Sequence, residues 1–208
     1  MKKLIEGLRT FVTTVHRSER ELYENLARGQ RPETVFITCS DSRVCPSTLT
    51  ASPPGELFVI RNAGNIVPPA GHRCGEAASI EYAIEVLKVR DIIVCGHSDC
   101  GAMKAILAPA PLARMPAVAA WLEHAERVLE IVDQVPGLSP AERLNRAIEA
   151  NVLTQLSHLR TLEPVAAAVE RGDVEMHGWV FDIASGRVRA FEADVGEFVD
   201  LLDRHPAA

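Results

Sequence analysis

The sequence has no apolar run long enough to cross a membrane. Its longer apolar stretches, such as residues 117–122 and 165–169, fall far short of the roughly 20 residues that a transmembrane helix requires. Near the N-terminus, Glu6 and Arg9 interrupt any apolar core of a secretion signal. These absences predict a cytoplasmic protein that does not use a membrane as a partner.

Positive charge is scarce as well. The chain contains 22 Lys and Arg residues against 28 Asp and Glu residues, a formal net charge of -6, and the basic residues are scattered. Nucleic-acid binding relies on clustered positive charge that neutralises phosphates. The sequence therefore predicts no nucleic-acid partner.

Cysteine is present, but not in the Cys-x-x-Cys spacing that favours thiol redox chemistry. An odd number of cysteines in a reducing compartment favours metal or thiol chemistry over a disulfide framework. Any single cysteine is most commonly a small buried hydrophobic residue, so only a combination with other ligands indicates a metal site. The five cysteines are Cys39, Cys45, Cys74, Cys95 and Cys100.

Strand-like and helix-like patterns alternate along the chain, whose 208 residues suit a single domain. Runs of β-branched and other apolar residues suit strands that are buried on both faces. These runs are residues 34–38, 57–60 and 91–95. Helical spacing is found in residues 75–89, 116–132, 140–159 and 163–171. The alternation predicts an α/β fold with a mostly parallel central sheet and flanking helices.

The two ends of the chain depart from this alternation. Residues 4–28 have helical spacing and precede Gly29, which predicts an N-terminal helical arm (1–28) ahead of an α/β core (29–208). Residues 174–183 and 188–191 flank the turn Ser185-Gly186 and predict a hairpin, which adds an antiparallel edge strand. A short helix is expected after it.

Residues with metal-binding chemistry follow two of the predicted strands. Cys39 follows the first strand, and His97 and Cys100 follow the strand that begins near Asp91. Open α/β sheets place their sites at the carboxyl ends of parallel strands, so these three side chains are expected to meet. Thiolates and imidazole suit Zn2+, and three protein ligands leave a fourth position open for water or substrate. The combination predicts a catalytic zinc site.

Asp41 and Arg43 form a second candidate pair, two residues apart beside Cys39. A carboxylate accepts the planar guanidinium group in a bidentate manner, so Arg43 could hold Asp41 ionised beside the metal. The alternative is an ordinary surface ion pair that contributes little. The spacing alone does not separate the two interpretations.

The motifs Cys39-Ser-Asp-Ser-Arg43 and Gly96-His-Ser-Asp-Cys-Gly101 resemble the signature of the β-class carbonic anhydrases. Further segments resemble the pattern of that family, over a match that extends from about residue 29 to residue 191. They are Gly55 to Asn62, Ala78 to Ala83 and His177 to Val180. The resemblance is to bacterial members with plant-like active-site features, of the type linked to cyanate breakdown.

This resemblance implies a function and residue roles. The chain would be a lyase that reversibly hydrates CO2 to bicarbonate and a proton, by attack of zinc-bound hydroxide on CO2. Cys39, His97 and Cys100 would bind one Zn2+ per chain, and Asp41 with Arg43 would form a catalytic dyad. The implied substrate-binding residues are Gln30, Phe58, Tyr82 and Gly101. Because part of that pocket is supplied across a dimer interface in the family, a homodimer or a dimer of dimers is expected.

One departure from the family concerns regulation. Some bacterial members have an inhibitory bicarbonate site built on a tryptophan, an arginine and a tyrosine. Here Phe36 and Phe181 stand at the aromatic positions, although Arg61 is kept. A buried anion would be poorly satisfied without the missing N–H and O–H donors. We therefore expect no such site, and Asp41 paired with Arg43 at neutral pH.

Other functions fit parts of the same pattern. The scaffold could hydrolyse CS2 or COS, which only activity assays would distinguish. A non-catalytic zinc sensor of CO2 or bicarbonate has no use for a poised Asp41, and a redox thiol protein would want a resolving cysteine that the sequence does not indicate.

Overall fold

The first 31 residues form a helical unit of their own. In the structure, a computed structural model that describes residues 1–204, the chain divides into two compact units, Met1–Arg31 and Pro32–Ala208. The helices of the first unit are α1 (Lys2–Thr10), α2 (His16–Ser18) and α3 (Arg20–Leu26). A π-helical turn, Phe11–Val15, joins the first two, and Glu19 leaves helical geometry at φ −110° and ψ 29°. The helix predicted over residues 4–28 is therefore interrupted.

Apolar side chains of this first unit remain exposed. None of the residues in its helices is buried. The exposed large apolar residues that follow helical spacing are Leu4, Ile5, Leu8, Val12 and Val15. The predicted arm of residues 1–28 lies within this unit, and the last four residues of the predicted core lie outside the described part of the chain.

In the described part of the second unit, residues 32–204, six strands form a single sheet. They are β1 (Thr34–Cys39), β2 (Leu57–Asn62), β3 (Asp91–His97), β4 (Glu175–Phe181), β5 (Val188–Glu192) and β6 (Glu197–Asp200). Their order in the sheet is β2-β1-β3-β4-β5-β6. Strands β2, β1, β3 and β4 are parallel to one another, β5 pairs antiparallel with β4, and β6 pairs antiparallel with β5. This confirms the predicted fold class. Strand β6 was not predicted, because four residues with acidic ends are too short to show an alternating pattern.

Helices cover the sheet and connect its strands. They are α4 (Pro46–Leu49), α5 (Gly75–Tyr82), α6 (Gly101–Leu107), α7 (Pro116–Leu122), α8 (Arg127–Asp133), α9 (Pro140–Leu159), α10 (Glu163–Glu170) and α11 (Leu201–Arg204). The sequence predicted one helix over residues 116–132, but a 3-10 turn, Glu123–Ala125, separates α7 from α8. Helix α6 was not predicted. No helix within residues 1–204 combines the length and apolar character needed to span a bilayer.

Helix α9 packs directly on the centre of the sheet. It begins with a capping box at Ser139, whose side chain accepts a hydrogen bond from the Glu142 amide. A Cβ atom added to Gly96 of β3 or to Gly178 of β4 would lie 2.9 Å from the side chain of Val152. The two glycines therefore allow the helix to approach the backbone of both strands, and this close packing brings α9 beside the loops at the carboxyl ends of the strands.

Candidate metal centre

Three potential metal ligands meet at the carboxyl ends of two adjacent parallel strands. Cys39 ends β1, His97 ends β3, and Cys100 precedes α6. Their ligand atoms all lie within 4.8 Å of one another. The three residues are buried, with relative exposures of 7% for Cys39, 0% for His97 and 1% for Cys100. The parallel pairing of β1 with β3 thus brings together the side chains that the sequence pattern predicts to meet.

The imidazole of His97 presents an unsatisfied nitrogen within this cluster. Its Nδ1 atom lies 2.9 Å from the carbonyl oxygen of Ser98, which can only accept a hydrogen bond, so Nδ1 carries the proton. Nε2 then has a free lone pair, and it is buried with no hydrogen-bond partner among residues 1–204. A buried nitrogen lone pair beside two cysteine sulfurs has the donor set that Zn2+ prefers. The residues present therefore fit a zinc ion.

The two sulfurs are not equivalent. The hydrogen bond from Cys100 lowers the pKa of the Cys39 thiol and outweighs its burial, while the same contact and burial raise the pKa of Cys100. The backbone N–H of Gly64 also donates to Cys39 Sγ over 3.4 Å. The thiolate is the form that binds metals, so Cys39 is prepared to act as a ligand.

Arg43 connects the two loops that carry the candidate ligands. Its Nε and Nη2 atoms donate to the two carboxylate oxygens of Asp41 over 2.9 and 2.8 Å. Its Nη1 atom also donates to Asp99 over 3.1 Å, and Lys104 pairs with the same carboxylate. The bond from Arg43 holds the pKa of Asp41 well below its usual range. Asp41 is therefore an ionised acceptor whose orientation the guanidinium fixes.

Arg61 holds the backbone beneath this pair. From β2, its guanidinium donates to the carbonyl oxygen of Cys39 over 2.9 and 3.1 Å and to that of Asp41 over 2.7 Å. The sequence alone associates Arg61 only with an anion site. The roles of Arg61 and Asp99 depend on contacts between separate loops, and no local motif indicates them.

The predicted substrate-binding residues do not all lie beside this cluster. Gly101 begins α6, next to Cys100. Phe58 and Tyr82 lie near each other, with ring centroids 6.3 Å apart. In the β1–β2 register, however, Phe58 precedes the Cys39–Asn62 pair by four residues, roughly 13 Å along the sheet. Gln30 belongs to the first unit, and its role stays a prediction.

A second group of potential ligands lies at the opposite ends of the strands. Oxygen or nitrogen atoms of Asp91, Glu175 and His177 also lie within 4.8 Å of one another. Here His177 Nε2 and Asp91 Oδ1 already pair over 2.8 Å, and both side chains are more than a third exposed. These donors satisfy each other and are open to solvent, in contrast to the orphaned nitrogen of His97.

Comparison with known proteins relates most of the chain to one family. The model of the carbonic anhydrase family matches residues 34–188. A carbonic anhydrase from Pseudomonas aeruginosa is 49% identical over 207 residues, which cover 99% of this chain and 94% of that protein. Carbonic anhydrase 1 of Escherichia coli O157:H7 is 43% identical over 202 residues, covering 97% and 92%.

Solved structures show the same relationship in three dimensions. The β-carbonic anhydrase CcaA superposes with a TM-score of 0.94 at 44% identity, covering 96% of this chain and 98% of that one. One of two tetrameric β-carbonic anhydrases from Sordaria macrospora has a TM-score of 0.81 at 30% identity, covering 92% and 96%. The overall fold is thus shared with proteins of this class.

Proposed function

The chain belongs to the β class of the carbonic anhydrase family, and from this membership we propose that it reversibly hydrates CO2 to bicarbonate and a proton with one bound Zn2+ ion per chain. One observation of the structure supports the proposal above the others. The buried cluster of Cys39, His97 and Cys100 lies beside Asp41, which Arg43 holds ionised.

In this proposal the three buried residues hold the ion. Cys39 and Cys100 supply sulfurs, and His97 supplies the Nε2 lone pair that has no other partner. Bound Zn2+ lowers the pKa of water and so supplies a nucleophile at neutral pH. Asp41 and Asp99, the carboxylates nearest in sequence, are both engaged by Arg43. This engagement favours a site with three protein ligands and one open position.

Asp41 would act as a hydrogen-bond acceptor for the attacking oxygen. An ionised carboxylate can only accept, so it would orient a lone pair of the nucleophile toward CO2. The Gly101 amide and the Gln30 side chain would donate to the developing bicarbonate oxygens. Preorganised donors of this kind stabilise charge that develops in the transition state.

The pocket wall is proposed to come from a second copy of the chain. Phe58 and Tyr82 form a pair at a distance from their own Cys39, and Tyr82 is 43% exposed. The apolar stripe of α1 is also exposed, and relatives from Sordaria macrospora are tetrameric. We propose a homodimer or a dimer of dimers in which these aromatic residues complete the neighbouring site. The cytoplasmic location stays a prediction.

The test combines zinc analysis with stopped-flow CO2 hydration. The Cys39→Ala/Cys100→Ala double variant should lose zinc and activity, because two of three ligands are removed. The control is Cys45→Ala/Cys95→Ala, which likewise removes two thiols, one exposed and one buried, but no proposed ligand, and it should retain both zinc and activity. Full zinc content in the first variant would refute the metal site. If the wild-type protein binds zinc but does not hydrate CO2, a sensor is favoured. If it turns over COS or CS2 faster than CO2, a hydrolase is favoured.

A further inference from the structure

A buried segment after β2 delivers the amide that bonds to Cys39. Residues 64–68 are buried, yet they lack regular secondary structure. Gly64 has φ +84°, and a Cβ atom there would lie 2.8 Å from the Cβ of Ala102 on α6. Both features require glycine at this position. The Gly64 backbone is therefore wedged between the Cys39 sulfur and the helix that follows Cys100.

Side chains from distant helices fix both peptide groups around Gly64. Trp121 Nε1 on α7 donates to the carbonyl oxygen of Ala63 over 2.8 Å. Ala63 C=O and Gly64 N–H belong to the same trans peptide, in which they point in opposite directions. The indole therefore orients the N–H that reaches Cys39. A carbonyl that accepts a hydrogen bond also makes its peptide N–H a stronger donor.

The next peptide is fixed by a relay of amides along α9. Asn151 Nδ2 donates to Gly64 O over 2.9 Å, and Asn151 Oδ1 accepts from Gln155 Nε2 over 2.9 Å. Gln155 Oε1 in turn accepts from the backbone N–H of Val67 over 2.9 Å. Because that N–H can only donate, the orientation of both side-chain amides is determined. Asn151 and Gln155 are buried, at 1% and 0% exposure.

We propose that Trp121 and Asn151 are positioning residues for the metal-binding sulfur: they hold the Gly64 N–H on Cys39 and thereby limit the negative charge that this sulfur donates to the ion. The inference rests on the proposed metal site. Two thiolate ligands donate more charge than imidazoles do, so an N–H donor to one of them keeps the ion a stronger Lewis acid. Partners that orient ligands from outside the coordination shell commonly tune metal sites in this way.

The experiment uses Trp121→Phe, with Trp179→Phe as its matched control. Each variant removes one indole N–H, but Trp179 lies on β4 against Phe36, and the hydrogen bond to Ala63 O comes from Trp121. The zinc-loaded proteins are assayed for hydration against pH, and the cobalt-substituted proteins are examined by absorption spectroscopy. A sulfur that loses its N–H donor holds its electrons less tightly. In Trp121→Phe the sulfur-to-cobalt band should therefore move to longer wavelength, and the pH midpoint of hydration should rise.

Asn151→Leu provides a second arm, with Thr154→Val as its control on the same buried turn of α9. The Thr154 hydroxyl bonds only within its helix, to Ala150 O. Asn151→Leu should shift the cobalt band in the same direction and raise the zinc dissociation constant about 10-fold, as loss of an outer partner does elsewhere.

A wild-type protein without a sulfur-to-cobalt band would refute the proposed metal site and this inference together. A normal wild-type band that neither variant moves at full cobalt loading would refute only this inference, even if both variants melt at lower temperature.

Discussion

The two ends of strand β3 each carry a cluster of three side chains with metal-binding donors. Asp91 begins the strand and His97 ends it, roughly 20 Å away. Both clusters bring their ligand atoms within 4.8 Å. At the carboxyl end the donors are two sulfurs and a nitrogen, all buried, and one of them has no partner. At the amino end, Asp91 and His177 are 39% and 36% exposed and bond to each other.

This difference shows that proximity alone does not define a metal site. A buried lone pair without a partner costs free energy unless a ligand satisfies it, and the carboxyl-end cluster leaves His97 Nε2 in that state. The amino-end cluster leaves no such cost, because its groups pair with each other or face water. We therefore expect zinc at one end only.

The largest effect expected from this comparison is in zinc content. His97→Ala should abolish zinc binding, since it removes the unsatisfied nitrogen and leaves a cavity between the sulfurs. His177→Ala removes the same side chain from the amino-end cluster and should leave one zinc per chain. Metal analysis after dialysis measures both. Zinc retained by His97→Ala and lost by His177→Ala would reverse the comparison.

The next effect concerns the carboxylates. Asp41→Asn should lower kcat about 100-fold, as expected for loss of a group that orients the nucleophile, with zinc content unchanged. Asp91→Asn at the amino end is the matched control and should keep the wild-type rate. Because Arg43 lowers the pKa of Asp41, the carboxylate is fully ionised from about pH 5 to 9. The loss of kcat in Asp41→Asn should therefore be constant over that range. A defect that disappears within this range would contradict the assignment.

A smaller effect is expected from the aromatic pair near the amino end. Tyr82→Ala should lower kcat/KM about 10-fold through loss of an apolar contact. The control Val86→Ala changes another exposed apolar residue, about one helical turn further along the chain, and should not lower it. Mixing Tyr82→Ala chains with inactive His97→Ala chains tests whether the contact crosses between copies. Activity should rise on mixing, because the metal-loaded site would regain a tyrosine from its neighbour. An active monomer at high dilution would exclude this arrangement.

Local sequence patterns predicted the parts of this molecule that depend on neighbouring residues. The apolar runs of β1 and β3 indicated buried strands, and the residues that follow each strand indicated the metal cluster, because strand ends lie next to each other in a parallel sheet. The contacts of Arg43 with Asp41 required only a two-residue spacing. These predictions concern groups that backbone geometry places together.

The remaining features depend on tertiary contacts that no local pattern reports. Arg61 reaches Cys39 from β2, and Asn151 reaches Gly64 across 87 positions of sequence. Helix α6 was missed because its seven residues follow directly on Cys100 and show no clear period. The interruption between α7 and α8 at Glu123–Ala125 was missed because the sequence there has no glycine or proline to mark it.

The smallest expected effect is an absent one, inhibition by bicarbonate away from the metal. Phe36 is fully buried and packs edge-to-face on Trp179, with ring centroids 6.0 Å apart. Phe181 packs against the same apolar cluster. Arg61, the one charged residue kept from the regulatory site of other members, donates to the carbonyl oxygens of Cys39 and Asp41. The side chains of Phe36 and Phe181 have no N–H or O–H donor for an anion.

An anion can bias a switch only if it binds one of the two states more tightly. To bind bicarbonate, Arg61 would have to give up its hydrogen bonds to the carbonyl oxygens of Cys39 and Asp41. The phenyl rings of Phe36 and Phe181 would offer the anion no compensating hydrogen bond. Hydration rates measured against bicarbonate concentration at neutral pH should therefore show weak, non-cooperative inhibition, with Asp41 still paired to Arg43. Steep sigmoidal inhibition would contradict this expectation, and so would a crystal structure near pH 7.5 with Asp41 bound to zinc.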